Sequence, residues 1–342
     1  MSNALAETKQ EPTEKPDARA ERAGRWRIER WGTIIFFLIL FAFITFQEGS
    51  RFLSSDNLLL VMAQESPTVL VAVAITVALI SGQFDLSVGA VLGLAAILTV
   101  GLTANQELSI PLMIVLCLAA GVICGLVNAF IVVKLRVNSI IATLGTGSIF
   151  LGLTLWYSDG KVIFEGVPLG LIDAATGKLG PVPLPVVYAL IVVGIMWVVT
   201  TQTGIGRKWY GTGSNAEAAR LAGVNVKRMT IYAYAVTGLL AAVAGLVLAA
   251  RFGSADPTTG PNYLLPAFAA AFLGASTLSD GRFHVIGTAL GAYMLAFAAN
   301  GLQIMGFETY ATNIFNGVVL VLAVALTEFL RRRRGLTSLK PV

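Results

Sequence analysis

Ten long apolar segments, separated by short polar stretches, dominate this chain and limit the folds that it can adopt. The segments lie at roughly 32–47, 58–81, 86–104, 110–133, 139–157, 183–200, 229–250, 263–278, 285–302 and 309–330. Most of them approach the roughly 20 residues that a helix needs to cross a bilayer. Since the runs are continuous rather than alternating, and lipid tolerates only helices or closed barrels, the pattern predicts an all-α polytopic membrane protein with about ten transmembrane helices.

The composition of the chain favours a membrane protein over a soluble one. Of its 342 residues, 56% are hydrophobic and only 13% are charged. A soluble domain of this size has roughly a quarter charged residues, which cover its surface. The surface of this chain must therefore face lipid. We expect no cleavable signal peptide, because the first 30 residues are polar.

Three regions follow from the distribution of polar residues. Residues 1–30 are highly charged and contain prolines, so we expect a disordered cytoplasmic tail there. Residues 31–330 form the predicted transmembrane domain, and residues 331–342 form a basic cytoplasmic tail. Two hydrophilic loops interrupt the transmembrane domain, at 158–182 on the outside and at 201–228 on the inside.

The positive charges predict the orientation of the chain. Leaving the N-terminal tail aside, the loops assigned to the cytoplasm hold Lys134, Arg136, Arg207, Lys208, Arg220, Lys227, Arg228, Arg282, Arg331, Arg332, Arg333, Arg334 and Lys340. The opposite side holds only Arg51, Lys161, Lys178 and Arg251. By the positive-inside rule, both termini lie in the cytoplasm. Because these charges flank apolar segments instead of forming a binding face, we expect no nucleic-acid partner.

The internal loop 201–228 contains a sequence that predicts a short helix. Asn215 or Ser214 can cap its start, and Gly223 can take the left-handed conformation that ends it. A small apolar stripe recurs at helical spacing and consists of Ala218, Leu221 and Ala222. Such a short helix is unstable alone. It must therefore dock either on the chain's own helices or in a groove of a partner.

Several ordered motifs, taken together, carry a resemblance to a known family. They are the loop segment 213–223, the stretch 82–89 that reads Gly-Gln-Phe-Asp-Leu-Ser-Val-Gly, the Thr-Leu-Gly-Thr of 143–146, the glycine-rich stretch 273–282 and the Asn-Gly-Leu of 300–302. In this order they resemble the ABC importer permeases of the ribose/xylose/arabinose type, over about residues 33–330. The match is looser at Asp280, Phe283 and His284, where the family usually has glycine and small residues. Leu265-Pro266 also replaces a more polar pair.

The resemblance implies the membrane-spanning permease subunit of an ATP-driven importer in the bacterial inner membrane. In that family a periplasmic binding protein delivers a sugar-like solute, and two cytosolic ATPase subunits hydrolyse ATP. A second permease copy, identical or closely related, completes the path. The resemblance also implies that the loop segment couples the permease to the ATPase, through Gly213, Asn215, Glu217, Ala218, Ala219, Arg220, Leu221 and Gly223. No cofactor is expected in this chain.

Four polar side chains within or beside the apolar segments are candidates for the translocation path or its gate. Asp85 can alternatively cap the third helix at the cytoplasmic side. Glu65 lies near the outer end of the second segment, where simple interfacial placement is the alternative. For Asn128 and Asn300, the alternative role is hydrogen bonding between helices.

Three glycine pairs at GxxxG spacing predict close contacts between helices. The pairs are Gly89/Gly93, Gly121/Gly125 and Gly287/Gly291. Glycine lets helix backbones approach closely, and we expect these contacts to lie within one subunit rather than at a dimer seam.

Catalytic motifs do not appear in the sequence, so we expect no enzymatic activity from this chain alone. It has no phosphate-binding G-x-x-x-x-G-K-[ST] loop, so ATP must be hydrolysed by a partner. No metal site is expected, because His284 is the single histidine and no Cys/His cluster exists. Cys117 and Cys124 are interpreted as small hydrophobic residues.

Two other transporter classes remain as alternatives. An ion-coupled secondary carrier usually buries charged coupling residues in its helices, and these segments are nearly free of charge. A branched-chain amino-acid ABC permease shares the general architecture, but the Asp-Leu-Ser-Val-Gly motif of 85–89 favours a sugar.

Overall fold

The computed structural model describes residues 18–104, 106–164, 166–278 and 281–333 of the chain. Its helices are α1 (Ala18–Phe52), α2 (Ser55–Ile80), α3 (Val88–Ala104), α4 (Ile110–Val133), α5 (Ser139–Ser158), α6 (Leu169–Thr176), α7 (Leu184–Gln202), α8 (Gly204–Ser214), α9 (Ala216–Leu221), α10 (Val226–Phe252), α11 (Leu264–Leu278), α12 (Val285–Ile304) and α13 (Thr309–Arg333). A 3-10 turn at Gly260–Tyr263 precedes α11. Within the described residues the only sheet is a hairpin of β1 (Lys178–Leu179) and β2 (Val182–Pro183) in the external loop.

Each of the ten predicted apolar segments coincides with a helix. Eight helices in the described part of the chain are long and apolar enough to cross a membrane. The other two, α3 and α11, are apolar helices of 17 and 15 residues. The predicted all-α polytopic fold is therefore confirmed.

The direction of the helices agrees with alternating crossings. Thr237 of α10 bonds to Ala74 of α2, whereas Arg251 of α10 bonds to Gln64, so the two helices run antiparallel. Helices α12 and α2 are also antiparallel. Thr288, near the start of α12, bonds to Thr76, and Asn300, near its end, bonds to Asn57 at the start of α2. In ten alternating crossings α2 is the second, while α10 and α12 are the seventh and ninth, so opposite directions are required.

The N-terminal prediction is wrong in part. Residues 1–17 of the expected disordered tail lie outside the described residues, but α1 already begins at Ala18. Residues 18–23 are alanine, arginine and glutamate, which are strong helix formers. Because the adjoining membrane segment already nucleates a helix, these residues extend it. At the other end α13 runs to Arg333, and the remainder of the expected basic tail lies outside the described residues.

Close glycine contacts hold the centre of the bundle together. Gly121 packs against the backbone of Gly238 in α10, and Gly291 packs against Ala270 in α11. Gly89 lies against the Gly260 carbonyl, where an added Cβ would be 2.9 Å from the oxygen. The prediction that the GxxxG pairs pack within one subunit is confirmed. Backbone proximity matters here because lipid removes most of the hydrophobic drive between helices.

Candidate functional site

The internal loop contains the predicted short helix, α9. The Asn215 side chain caps it by accepting a hydrogen bond from the Ala218 N–H at 2.9 Å. Gly223 follows with φ of 81°, as expected for a left-handed helix end. Of the two capping candidates, Asn215 and not Ser214 performs the role. Ser214 instead ends the preceding helix and donates to the Tyr210 carbonyl.

The apolar stripe of α9 faces away from the protein. Leu221 is 81% exposed, and Ala218 and Ala222 are also exposed. Ala219, on the opposite side, is buried against the rest of the chain. Of the two docking surfaces left open by the sequence, the chain's own helices therefore do not cover this stripe.

An ion pair on α9 lies beside this stripe. Arg220 donates to Glu217 at 2.5 Å, one helical turn apart, and both side chains are mostly exposed. Exposed pairs of this kind add little stability. The pair therefore mainly fixes the pattern of charge that the surface presents.

A second helix, α8, precedes α9 and was not predicted, because the stretch from 204 to 212 reads as loop. Its buried positions are Gly206, Trp209 and Thr212, a three-residue spacing that was available in the sequence. The Trp209 indole is 1% exposed and donates to the Met229 carbonyl at 2.9 Å. This bond fixes α8 to the first turn of α10. Helix α8 thus lies against the bundle while α9 projects from it.

Two turns of the bundle lie against α8 and share an arrangement. Each follows a helix, α2 or α11, and each contains a glycine with positive φ, 82° at Gly82 and 85° at Gly281. The Phe84 carbonyl accepts a hydrogen bond from the Tyr234 hydroxyl at 3.0 Å. The Phe283 carbonyl accepts one from the Tyr210 hydroxyl at 2.8 Å.

This likeness is an internal repeat that the sequence analysis did not detect. Residues 82–93 read GQFDLSVGAVLG, and residues 281–291 read GRFHVIGTALG. Both start with Gly-x-Phe and end with glycines at GxxxG spacing, with one residue fewer in the second copy. A comparison of the chain with itself would have revealed the repeat.

Asp85 does not cap the third helix, which corrects the structural role predicted for it. The helix α3 begins only at Val88, and the Asp85 carboxylate accepts bonds from the Ser87 N–H at 3.0 Å and the Ser87 hydroxyl at 2.6 Å. The preceding chain is held along α5, since the Leu86 N–H donates to the Thr143 hydroxyl at 3.0 Å. The first turn of α3 is therefore displaced beyond the reach of Asp85.

Asp85 and Asn128 belong to one buried polar network. The Asn128 amide donates to the Ser87 hydroxyl at 2.7 Å, and the Thr146 hydroxyl donates to the Asn128 oxygen at 2.5 Å. Asp85 is 2% exposed and Asn128 is fully buried. The predicted alternative for Asn128, hydrogen bonding between helices, is confirmed. The network joins α4 and α5 to the turn before α3.

Glu65 and Asn300 lie apart from this network. Glu65 accepts a bond from the Thr68 hydroxyl at 2.7 Å within α2, and Arg251 approaches it from α10. Asn300 of α12 accepts a bond from the Asn57 amide at 3.0 Å, near the start of α2. The four path candidates therefore do not form a single site.

His284 caps the start of α12. Its Nδ1 accepts a hydrogen bond from the Gly287 N–H at 3.3 Å. Burial lowers the pKa of the imidazole below its usual value, which keeps the ring neutral and able to accept this bond at neutral pH. In the described ranges, no group of three or more potential metal ligands occurs.

Comparisons with known proteins agree with this architecture. Residues 57–324 match a family model described as "Branched-chain amino acid transport system / permease component". The ribose import permease protein RbsC of Haemophilus influenzae is 33% identical over 91% of this chain and 96% of its own length. RbsC of Escherichia coli K12 is 34% identical, over 87% of this chain and 93% of its own.

An autoinducer 2 import system permease protein, LsrD of Salmonella paratyphi A, is 31% identical over 87% of this chain and 92% of its own. No solved structure matches the chain. The family model covers most of the chain, and these relatives are matched along nearly their whole length. The chain belongs to the family of membrane permease components of transport systems that this model describes.

Proposed function

We propose that the chain is the membrane-spanning permease subunit of an ATP-driven importer for a sugar-like solute, located in the bacterial inner membrane. The observation that carries this proposal is the exposed apolar stripe of α9 on a helix that is capped and held at its back. An exposed leucine beside an ion pair suits the groove of a protein partner better than water. The sugar-like solute is supported by the relatives that carry ribose in their names.

The partner that would occupy the α9 surface is a cytosolic ATPase subunit. The chain has no phosphate-binding loop of its own, so a nucleotide-driven cycle needs a separate motor. Helix α9 lies in the loop that also holds Arg207, Lys208, Lys227 and Arg228, which the positive-inside rule assigns to the cytoplasm. The chain by itself then carries no enzymatic activity.

A second permease copy and an external binding protein complete the proposed assembly. The outer faces of the bundle suit lipid, since Val115, Ile149, Leu190 and Leu322 are each more than half exposed. The second copy is this chain again or a close relative. The binding protein would deliver the solute at the side of the β1–β2 hairpin.

Isolation of the complex from its own membranes tests the proposal. We expect the tagged chain, solubilised in mild detergent, to copurify with an ATPase subunit and to transport solute into vesicles only when ATP is supplied. Transport that persists without ATP and collapses with the proton gradient would show an ion-coupled carrier instead. Loss of the ATPase from a Leu221→Asp complex, with normal membrane insertion, would identify α9 as the docking surface.

The family description raises one other solute class, branched-chain amino acids. The small molecule released from the copurified binding protein distinguishes the two classes by mass spectrometry. We expect a pentose or a similar hydroxylated compound. Leucine, isoleucine or valine would contradict the sugar assignment while leaving the ATP-driven importer intact.

A further inference from the structure

Helix α8 connects α9 to the two repeated turns. It contacts the turn after α2 and the turn after α11, and a single residue joins it to α9. At one end, Gly213 lies against Ile80 and Gly82, with no space for a side chain between them. One turn earlier, the Tyr210 hydroxyl binds the Phe283 carbonyl at 2.8 Å. Helix α8 therefore bridges the two turns.

The joint between α9 and α8 is short and hydrogen-bonded on both sides. A single extended residue, Asn215, connects the two helices, with φ of −158° and ψ of 100°. Its backbone N–H donates to the Gly211 carbonyl of α8 at 3.1 Å, while its side chain caps α9. Because one residue is bonded to both helices, a displacement of α9 is carried into α8.

The two turns are also connected inside the bundle. A row of four phenylalanine rings, Phe84, Phe268, Phe272 and Phe283, runs from one turn to the other along α11. Neighbouring ring centroids are 6.5, 6.5 and 5.2 Å apart, within the range of aromatic contact. The turns are thus held as a pair by α8 from one side and by the rings from the other.

The turn after α2 leads directly into the buried polar network. Phe84 precedes Asp85, whose carboxylate binds Ser87, which in turn binds Asn128 of α4. A cavity of about 190 Å³ lies between α8 and the two turns, lined in part by Ile80, Tyr210 and Arg282. The contact of α8 with the two turns is therefore tight at Gly213 but open beside Tyr210.

We infer that α8 is the lever that moves both repeated turns together, with Tyr210 and Gly213 as its two contact points and Trp209 as its attachment to α10. This inference rests on the proposed function, since a motor acting on α9 supplies the movement. Tyr210 is a positioning residue: its hydroxyl holds the Phe283 carbonyl so that a movement of α9 reaches the α11–α12 turn as well as the α2–α3 turn.

The test compares two substitutions that remove equivalent hydrogen bonds. Tyr210→Phe removes the bond from α8 to the second turn, and Tyr234→Phe removes the matching bond from α10 to the first turn. Each variant is purified with its ATPase and reconstituted in vesicles with the binding protein and D-ribose as the probe. The measured quantity is the uptake of ribose per ATP hydrolysed.

For Tyr210→Phe we expect ATP hydrolysis to remain stimulated by the loaded binding protein while uptake per ATP falls by roughly two- to tenfold, the factor that one hydrogen bond is worth. For Tyr234→Phe we expect hydrolysis and uptake to change in proportion, so that their ratio stays at the wild-type value. Wild-type coupling in Tyr210→Phe would overturn the inference. An equal loss of coupling in both variants would also overturn it, because any loosened turn would then suffice.

A second variant covers the case in which Tyr210→Phe fails to assemble. Gly213→Ala places a methyl group against the Ile80 carbonyl and must displace α8 from the first turn. Lowered uptake per ATP in the assembled Gly213→Ala complex supports the lever, and wild-type coupling contradicts it. If the binding protein loaded with its own solute does not stimulate ATP hydrolysis by the wild-type complex, the proposed function fails. If the wild-type complex passes this test and both variants show the wild-type uptake per ATP, only the inference about α8 is wrong.

Discussion

At the scale of single residues, most buried hydroxyls donate to a carbonyl of their own helix, as Thr154 does, and a few polar side chains join different helices. Asn128 accepts one hydroxyl and donates to another, so its amide links α5 to the turn before α3. Buried polar groups must find partners within the protein when the surroundings are apolar. In this bundle backbone carbonyls accept most of the bonds from buried hydroxyls, whereas the Asn128 amide is paired with the hydroxyls of Ser87 and Thr146.

Removal of one hydroxyl from the network should destabilise the fold measurably. Thr146→Val leaves the Asn128 oxygen buried without a donor, and we expect a loss of about 1 kcal/mol, because hydrogen bonds in membrane proteins average somewhat below this and an unpaired group adds a penalty. Thermal unfolding of the purified chain in detergent provides the measurement.

Thr154→Val is the matched control for this substitution. Thr154 is equally buried in the same helix, but its hydroxyl bonds only to the Phe150 carbonyl within α5. We expect little change in its melting temperature. Equal destabilisation by the two substitutions would argue that the Asn128 network contributes nothing beyond side-chain packing.

At the scale of helices, packing depends on where glycine meets a neighbouring backbone. An added Cβ at Gly121 of α4 would collide with the Gly238 carbonyl and the Ala242 side chain. At Gly194 of α7, by contrast, nothing lies within 4 Å of the same position. The sequence already separates these two glycines, because Gly121 has a partner at GxxxG spacing, Gly125, whereas Gly194 has none.

These two glycines make a matched pair for mutagenesis. We expect Gly121→Ala to reduce the yield of folded protein and its melting temperature, because α4 must move away from α10. Gly194→Ala should be neutral or slightly stabilising, since alanine is favoured over glycine in helices by up to about 1 kcal/mol. Size-exclusion profiles after a heating series give both quantities. A stable Gly121→Ala protein would contradict the close packing of α4 on α10.

The ion pair of α9 offers a prediction at the same scale. Charge reversal at Glu217 or Arg220 should impair transport without affecting membrane insertion, because the pair is exposed and contributes little to the fold. The exchange of both residues, Glu217→Arg with Arg220→Glu, restores the pair within α9 but reverses the charges that a partner meets. We expect uptake to remain low in the exchanged protein. Full recovery of uptake would mean that the pair serves α9 alone.

At the scale of the whole molecule, the ten apolar helices place the α8–α9 segment and the β1–β2 hairpin on opposite sides of the membrane. The hairpin follows α5, and α8 follows α7, so one crossing separates the two. The positive-inside rule assigns α9 to the cytoplasm and the hairpin to the outside. The proposed coupling to a cytosolic motor requires this arrangement.

Cysteine labelling tests the arrangement directly. A membrane-impermeant maleimide should label Lys178→Cys in intact cells, and it should label Ala218→Cys only after the membrane is opened. The native thiols do not interfere, because Cys117 and Cys124 are buried at 0% and 6% exposure. Labelling of Ala218→Cys from outside would reverse the topology and contradict the proposed function.

The sequence by itself determined the properties that depend on local chemistry. The length of each apolar run specified a helix. The pair Ser214-Asn215 and Gly223 limited the ends of α9, because capping involves residues close together in the chain, although the choice of Asn215 over Ser214 came from the structure. The prediction of a disordered tail was wrong from Ala18 onward. The helix of the adjoining membrane segment extends into these residues, which are good helix formers.

Only the tertiary structure decided the features that join distant residues. The chain before α3 is held by a bond to Thr143 of α5, so α3 begins only at Val88. The position of α8 depends on the bond from Tyr210 to Phe283, 73 residues away. The exposure of Leu221 likewise follows from which side of α9 the bundle covers. Contacts of this kind are set by how the helices pack, and packing among helices of nearly uniform apolar composition leaves little trace in the order of the residues.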